Sequence, residues 1–427
     1  MSIRFSFFRL AAGAAAVLAI HVAEAAEPLT LADAQLLAVS RSQQLVANQA
    51  AASAARRLAQ VAGQLPDPVL KVGVDNLPVN GPDRFSLTRD FMTQRRIGVM
   101  QELTGMEKRR LRGQRGAQDA LRLQAEGQLL ATNARRDTAL AWLDRYYALQ
   151  TRDVLLQQMD EGRLQVQAAE AAYRGARGSQ AEVFAARSAV SLLEDKLNQV
   201  DRQARNAAVM LARWVGDDAQ RVPVGAPPWR TTELDLGITQ EHLETHPEVA
   251  VAAAMVHAAQ LDVFLAQANQ HADWTVEASY SQRGPAYSNM VSVGVSVPLQ
   301  LDRANRQNQE VAARQALVDE ALARYDDLLR REEAEVGVLL NDWRSGKQRV
   351  DRYASSLLPL AQQRTSAALA AYRGGKGDLA AVLAARREGL ELRTQALAAE
   401  LETARAWARL TFLTADHEMP TIAGSKR

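Results

Sequence analysis

His242 and His246 stand four residues apart, the spacing that sets two imidazoles on one helix face where they could share a metal ion. Pro247 follows His246 directly. That makes His246 a helix boundary with proline at the first helical position, and the pair reads as structural. His257 and His271 are isolated and read as structural or solvated. Met92, Met100 and Met106 offer thioethers of the kind that suit Cu(I). Only Met100 falls in a strand-like stretch, so a shared site is not expected. Gly374-Gly375-Lys376-Gly377 has the glycines and lysine of a phosphate loop without its G-x-x-x-x-G-K-[ST] spacing or a preceding strand. No H-E-x-x-H or G-x-S-x-G is present. The chain has no cysteine, which removes thiolate catalysis, thiolate metal sites and disulfides. The expectation is a chain with no catalytic residues, no metal centre and no cofactor.

If chemistry is not its business, geometry must be. Arg4 and Arg9 precede or flank an apolar run from Leu10 to Ile20, and Ala23-Glu24-Ala25 follows. A basic start, a short apolar run and an A-x-A step read as a secretory leader over 1–25, cut after Ala25. The run is too short to cross a bilayer, which takes about 20 apolar residues. No later segment is expected to form a transmembrane helix. The net charge is +2, from 51 basic and 49 acidic residues, so nothing demands a nucleic acid partner. Aromatic residues are only 5% of an alanine-rich chain, a composition that suits long helices packed closely together.

The chain also echoes itself. Ala172-Tyr173-Arg174-Gly175-Ala176-Arg177-Gly178 returns 199 residues later as Ala371-Tyr372-Arg373-Gly374-Gly375-Lys376-Gly377. Leu29-Thr30-Leu31 returns as Leu234-Asp235-Leu236, and Ile97-Gly98-Val99 as Val293-Gly294-Val295. The reading is two tandem repeats, 26–225 and 226–420, joined at Pro223–Trp229, with a tail over 421–427. Repeat one would hold a first helix over 32–63, strands near 68–75 and 95–103, a long helix near 105–173, a tip at 174–178 and a helix over 179–215. Repeat two would hold strands near 273–282 and 290–299, a long helix near 302–372 broken only by Pro359, a tip at 373–377 and a helix over 378–413.

Val183, Ala186, Val190, Leu193, Leu197 and Val200 alternate steps of three and four, a coiled-coil seam. Val382, Ala385, Gly389, Leu392, Ala396 and Ala399 repeat it in register. A helix over 105–173 is about 100 Å long. No compact domain of this size holds such a rod, so each repeat should be a double-length helical hairpin. The glycine pairs 175/178 and 374/377 should supply the left-handed turn between its arms.

The strands set the class. Val291, Val293, Val295, Val297 and Leu299 alternate with Ser292, Gly294, Ser296 and Pro298. Trp274, Val276, Ala278 and Tyr280 alternate with Thr275, Glu277, Ser279 and Ser281. Leu70, Val72 and Val74 do the same, as do Ile97 and Val99. Two-faced strands with aromatic residues near their ends fit a bilayer-spanning barrel, with Trp274, Val276, Tyr280, Val291, Val293, Val295 and Val297 facing lipid. Four strands cannot close a barrel, and an open edge cannot survive in lipid. Several chains must therefore share one; three would give twelve strands.

The duplicated Tyr-Arg-Gly-x-x-Gly turns, the helix starts after Leu31 and Leu236, the His246-Pro247-Glu248 step and the run Val293–Leu299 together resemble the TolC-like outer-membrane efflux factors. The resemblance covers nearly the whole mature chain. It implies a mainly α fold with a small membrane β part, and a homotrimer with a twelve-stranded β-barrel and a periplasmic α-helical barrel. It implies an outer-membrane exit duct of a Gram-negative bacterium, embedded in outer-membrane lipid, serving a periplasmic adaptor and an inner-membrane pump of the RND type. Tyr173, Arg174, Gly175, Arg177, Gly178, Tyr372, Arg373, Gly374, Lys376 and Gly377 would form adaptor-docking tips, with Glu182 and Asp378 at the pore mouth. Where relatives carry paired aspartates after the second tip, this chain has Ala381 and Ala384, and Arg174, Arg177, Arg373 and Lys376 make the mouth basic. Asn76-Leu77-Pro78, Phe85-Ser86-Leu87 and Arg95–Glu102 resemble the heavy-metal cation branch. The alternatives are a duct for type I protein secretion, a periplasmic coiled-coil adaptor and an exported enzyme.

Overall fold

The computed structural model describes residues 27–232 and 245–412. The expected leader, the Leu234–Leu236 echo, His242, Leu413 and the tail lie outside the described residues. The chain is mostly helical. In order it forms α1 (Leu31–Arg41), α2 (Gln43–Ala62), β1 (Val69–Asp75), β2 (Gln94–Leu103), α3 (Met106–Arg174) and α4 (Gln180–Val215). Then come α5 (Pro247–Ala268), β3 (Trp274–Gln282), β4 (Met290–Ser296), α6 (Gln307–Arg352), α7 (Leu358–Arg373) and α8 (Leu379–Thr411).

The 69 residues of α3 form one unbroken helix, about 100 Å of rod. Helix α2 packs on its first part and α4 on its last. Gly116 is what lets α2 come close: a Cβ there would stand 2.8 Å from Ala59 Cα. The expected first helix over 32–63 is instead two, because the Ser42 backbone is extended and its hydroxyl accepts from the Leu45 N–H, capping a new helix. The second long helix also differs from expectation. Residues 301–306 form turns, and the π-helical turn Tyr353–Leu357 joins α6 to α7 just before Pro359. Proline has no N–H to give the preceding turn, and a wider turn absorbs that loss.

Helix α5 corrects a further expectation, since Pro247–Ala268 is long and apolar enough to cross a membrane. It packs between α3 and α6. Val249, Ala254, Val256, Val263 and Ala266 are buried there, so its apolarity has a core to explain it.

Two tryptophans anchor the main core. Trp142 on α3 donates from its indole to the Leu29 carbonyl at 3.0 Å, and Trp343 on α6 donates to the Trp229 carbonyl at 2.7 Å. Both are fully buried among Leu143, Leu211, Val215, Leu340 and Leu410. Leu29 also bridges to Pro223, which ties the start of the described chain to the joint.

The strands form one antiparallel sheet in the order β1-β2-β3-β4. Strands β2 and β3 are distant in sequence, so the two halves of the chain meet in the sheet. All four strands join the helices at one end. The 76–93 loop and the 283–289 turn lie at the other, where Arg283 donates to the Phe91 carbonyl at 2.7 Å.

Candidate functional site: a two-faced sheet and paired helical tips

The register sorts the sheet into two faces. Leu70 opposes Val99, Val99 opposes Ala278, and Ala278 opposes Val293. The next row runs Val72, Ile97, Tyr280 and Val291; another pairs Val276 with Val295. Trp274, Val276, Tyr280, Val291, Val293 and Val295 thus share one face, as the alternation requires. Val297 is outside β4, which ends at Ser296; Pro298 has no N–H to continue the ladder.

The opposite face is polar. Lys71, Gly98, Ser279 and Ser292 form one row; Gly73, Arg96, Ser281 and Met290 form the next. Gly98 offers no side chain, so Lys71 reaches across β2 to Glu277 at 2.7 Å. Arg96 pairs with Asp75 at 3.0 Å.

Burial is inverted relative to a sheet in water. Val72, Val291 and Val293 are 73, 75 and 73% exposed, while Ser279 and Ser281 are 6 and 2% exposed. An ordinary sheet with one covered face covers the apolar one. Here the aliphatic face is bare, and among the described residues β1 and β4 each lack one neighbour.

The tips lie at the far ends of the long helices. In the first, Arg177 donates its N–H to the Ala172 carbonyl and Ala176 to Tyr173; in the second, Lys376 donates to Ala371 and Gly375 to Tyr372. Each is a Schellman turn, and its left-handed residue is Ala176 (φ 54°) or Gly375 (φ 68°). The four glycines expected to supply that conformation do not. Gly175 and Gly374 have φ −85° and −82°, and Gly178 and Gly377 are also outside the left-handed region. The last two are needed for closeness: a Cβ would stand 3.2 Å from Ala172 Cβ at Gly178 and 3.1 Å from Ala371 Cβ at Gly377.

The structure brings the two tips together. Ala169, Val183, Ala186, Leu379 and Val382 bury one another, with Tyr372 packed against them. Tyr173, Arg174, Arg177, Arg373 and Lys376 remain exposed. The two candidate mouth acids are helix caps. Glu182 accepts from the Ser179 N–H at 2.9 Å in a capping box, and Asp378 accepts from the Ala381 N–H at 2.8 Å.

Residues 238–416 match the family model of the outer membrane efflux proteins. The cobalt-zinc-cadmium resistance protein CzcC of Cupriavidus metallidurans is 25% identical over 388 residues, spanning 88% of this chain and 87% of the relative. Over residues 238–416 the chain is similar to the outer membrane efflux proteins. Solved channels share the fold. The outer-membrane channel OprN aligns with TM-score 0.75 at 18% identity, over 90% of this chain and 89% of its own. The transmembrane channel CusC aligns with TM-score 0.74 at 14% identity, over 90% and 92%.

The sheet must be held to the helices. Lys108 does this at the start of α3: its buried ammonium donates to Asp273 Oδ2 at 2.9 Å and to the His271 carbonyl, and the Gly105 N–H donates to Asp273 Oδ1 at 3.0 Å. Burial pushes the Asp273 carboxyl up, but the bonds from Lys108 and Gly105 outweigh it and hold it below the ordinary carboxylate range. A depressed carboxyl stabilises the fold above its unfolded pKa and loses that stabilisation as pH falls through its folded one. Lys108→Ala is expected to cost about 1–2 kcal/mol at neutral pH by leaving the partly exposed Asp273 carboxylate without its cation. Thermal unfolding followed by circular dichroism should show that gap at neutral pH and a smaller one as pH falls below the ordinary carboxylate range and Asp273 takes up a proton.

The remaining sequence candidates are spread through the chain. Met92 and Met106 flank opposite ends of β2, roughly 30 Å apart at strand rise, so the three thioethers do not converge. Gly374–Gly377 is a helix turn. His257 and His271 are exposed. His246 is the exception. It caps α5 with Pro247 at the first position, as expected, yet its buried imidazole lies near Glu248 and Glu332. No local spacing could announce the partner on α6, 86 residues away. Trp142 and Trp343 are a further pair that the sequence does not announce, because they stand 201 residues apart and miss the 199-residue offset of the tips.

Proposed function

We propose that three copies of this chain form the exit duct of a tripartite efflux system that exports divalent heavy-metal cations. The observation that carries this reading is the bare aliphatic face of a sheet with two open edges. In water that face would aggregate, and in lipid its edges would go unpaired. Both problems vanish when β1 of one copy pairs with β4 of the next around a ring of twelve strands.

The chain is then two repeats, 26–225 and 226–420, each supplying a strand pair and a helical hairpin. Trp274, Val276, Tyr280, Val291, Val293 and Val295 meet lipid; Lys71, Glu277 and Arg96 meet water inside. The tips, from Tyr173 to Gly178 and from Tyr372 to Gly377, receive the adaptor. Energy comes from the inner-membrane pump, and no residue of the duct performs covalent chemistry.

The likeness to CzcC along most of both chains supports metals as cargo over secreted protein. Deleting the gene should lower the tolerated concentrations of cobalt, zinc and cadmium salts while leaving protein secretion intact. Unchanged metal tolerance together with lost secretion of a protein would favour a type I secretion duct.

A further inference from the structure

We propose that His246, Glu248 and Glu332 form a divalent-cation site for an ion of the Zn²⁺ or Co²⁺ class, where α5 begins against α6. One ligand atom from each lies within 4.8 Å of the others. An imidazole with two carboxylates is a ligand set that suits zinc and its neighbours. Bonds of about 2.0–2.2 Å in tetrahedral geometry place adjacent ligand atoms roughly 3.3–3.5 Å apart. His246 Nε2 and Glu332 Oε2 stand 3.8 Å apart. That is too wide for a hydrogen bond, and closing by about half an ångström makes room for an ion between them.

A purely structural role leaves three facts unexplained. His246 occupies the N-cap of α5, yet its side chain makes no cap bond. The residue is only 9% exposed, and its Nε2 faces Glu332 Oε2 at 3.8 Å, beyond hydrogen-bond reach. Glu332 is 4% exposed, and a carboxylate so deeply buried demands a cation. Arg331 answers only in part: it lies 3.2 Å from Glu332 and 2.6 Å from Glu248, dividing one positive charge between two carboxylates. Its side chain is 58% exposed, so it can leave by rotation. Glu335 and Arg136 also act on the imidazole. The site does not depend on what the duct exports.

The test uses the full-length protein, purified in detergent and stripped with chelator. Titration with Co²⁺ followed by visible absorption, and with Zn²⁺ against a chromophoric chelator, should find one ion per chain. His246→Ala and Glu332→Gln should each lose that equivalent while circular dichroism shows an intact fold. Arg331→Met should tighten binding about fivefold, the worth of one exposed ion pair removed as competitor. A structural arginine would give no such gain. If Glu332→Gln fails to fold, Cu²⁺ electron paramagnetic resonance of the wild type reads the site instead, through imidazole nitrogen coupling that His246→Ala removes. Equal uptake by wild type and His246→Ala, or weaker binding by Arg331→Met, would overturn the proposal. Because binding is read on purified protein, either result leaves the export assignment to the deletion strain.

Discussion

Val293→Arg is expected to keep the protein from assembling in the outer membrane, whereas Ser292→Arg, one residue away, should not. Val293 is the middle residue of β4 and 73% exposed on the aliphatic face. Ser292 points to the polar face, in the row of Ser279 and Lys71 and next to the row that holds Glu277. An arginine facing hydrocarbon at the bilayer midplane costs about 2–4 kcal/mol in a transmembrane barrel, and a lumen-facing one costs little. In a three-chain ring the penalty triples to about 6–12 kcal/mol, comparable to the whole stability of an ordinary domain. The check is fractionation with heat-modified gel migration for both variants. The pair separates lipid exposure from general intolerance, because the substitutions share a strand and a side chain. Normal insertion of Val293→Arg would place that face away from lipid.

The second large effect belongs to the tips. Gly178→Val with Gly377→Val should reduce export to the level of the deletion strain, with trimers still present in the membrane. Each valine forces methyl groups where a Cβ alone already stands 3.0 Å from Glu182 Oε2 and 3.2 Å from Ala172 Cβ, or 3.1 Å from Ala371 Cβ. Overpacking of this kind costs about 1–3 kcal/mol per turn and splays the hairpin where Val183 and Leu379 bury one another. Ala176→Gly is the control. Ala176 already holds a left-handed backbone that glycine adopts more readily, so export should survive. Full export by the valine double variant would remove the tips from the docking role.

How much of this was readable depended on the range of the signal. Strict alternation in Val291–Val297 has a period of two and needs no partner to be seen, so the faces of β4 followed from the sequence alone. The stop at Ser296 follows from Pro298, which has no N–H to extend the ladder. The tip turns were found by their repetition, but the left-handed position was misplaced by one residue. Gly175 invites the assignment, while the hydrogen bonds give it to Ala176, a residue whose type argues against it. Ser42 breaks the first helix through a cap bond that any serine can offer and few make. The His246–Glu332 approach and the Gly116–Ala59 contact depend on how two helices lie together, which periodicity does not encode.

The absence of cysteine makes one measurement clean. Place one cysteine at Val72 on the β1 edge and scan a second along Val291, Val293 and Val295 on the β4 edge. Outer membranes are then oxidised and the products separated in denaturing gels without reductant. If neighbouring copies close the barrel, at least one register gives covalent dimers and trimers, and neither single-cysteine variant does. Monomer at every register, from protein that has reached the outer membrane, would mean that β1 and β4 do not meet between copies.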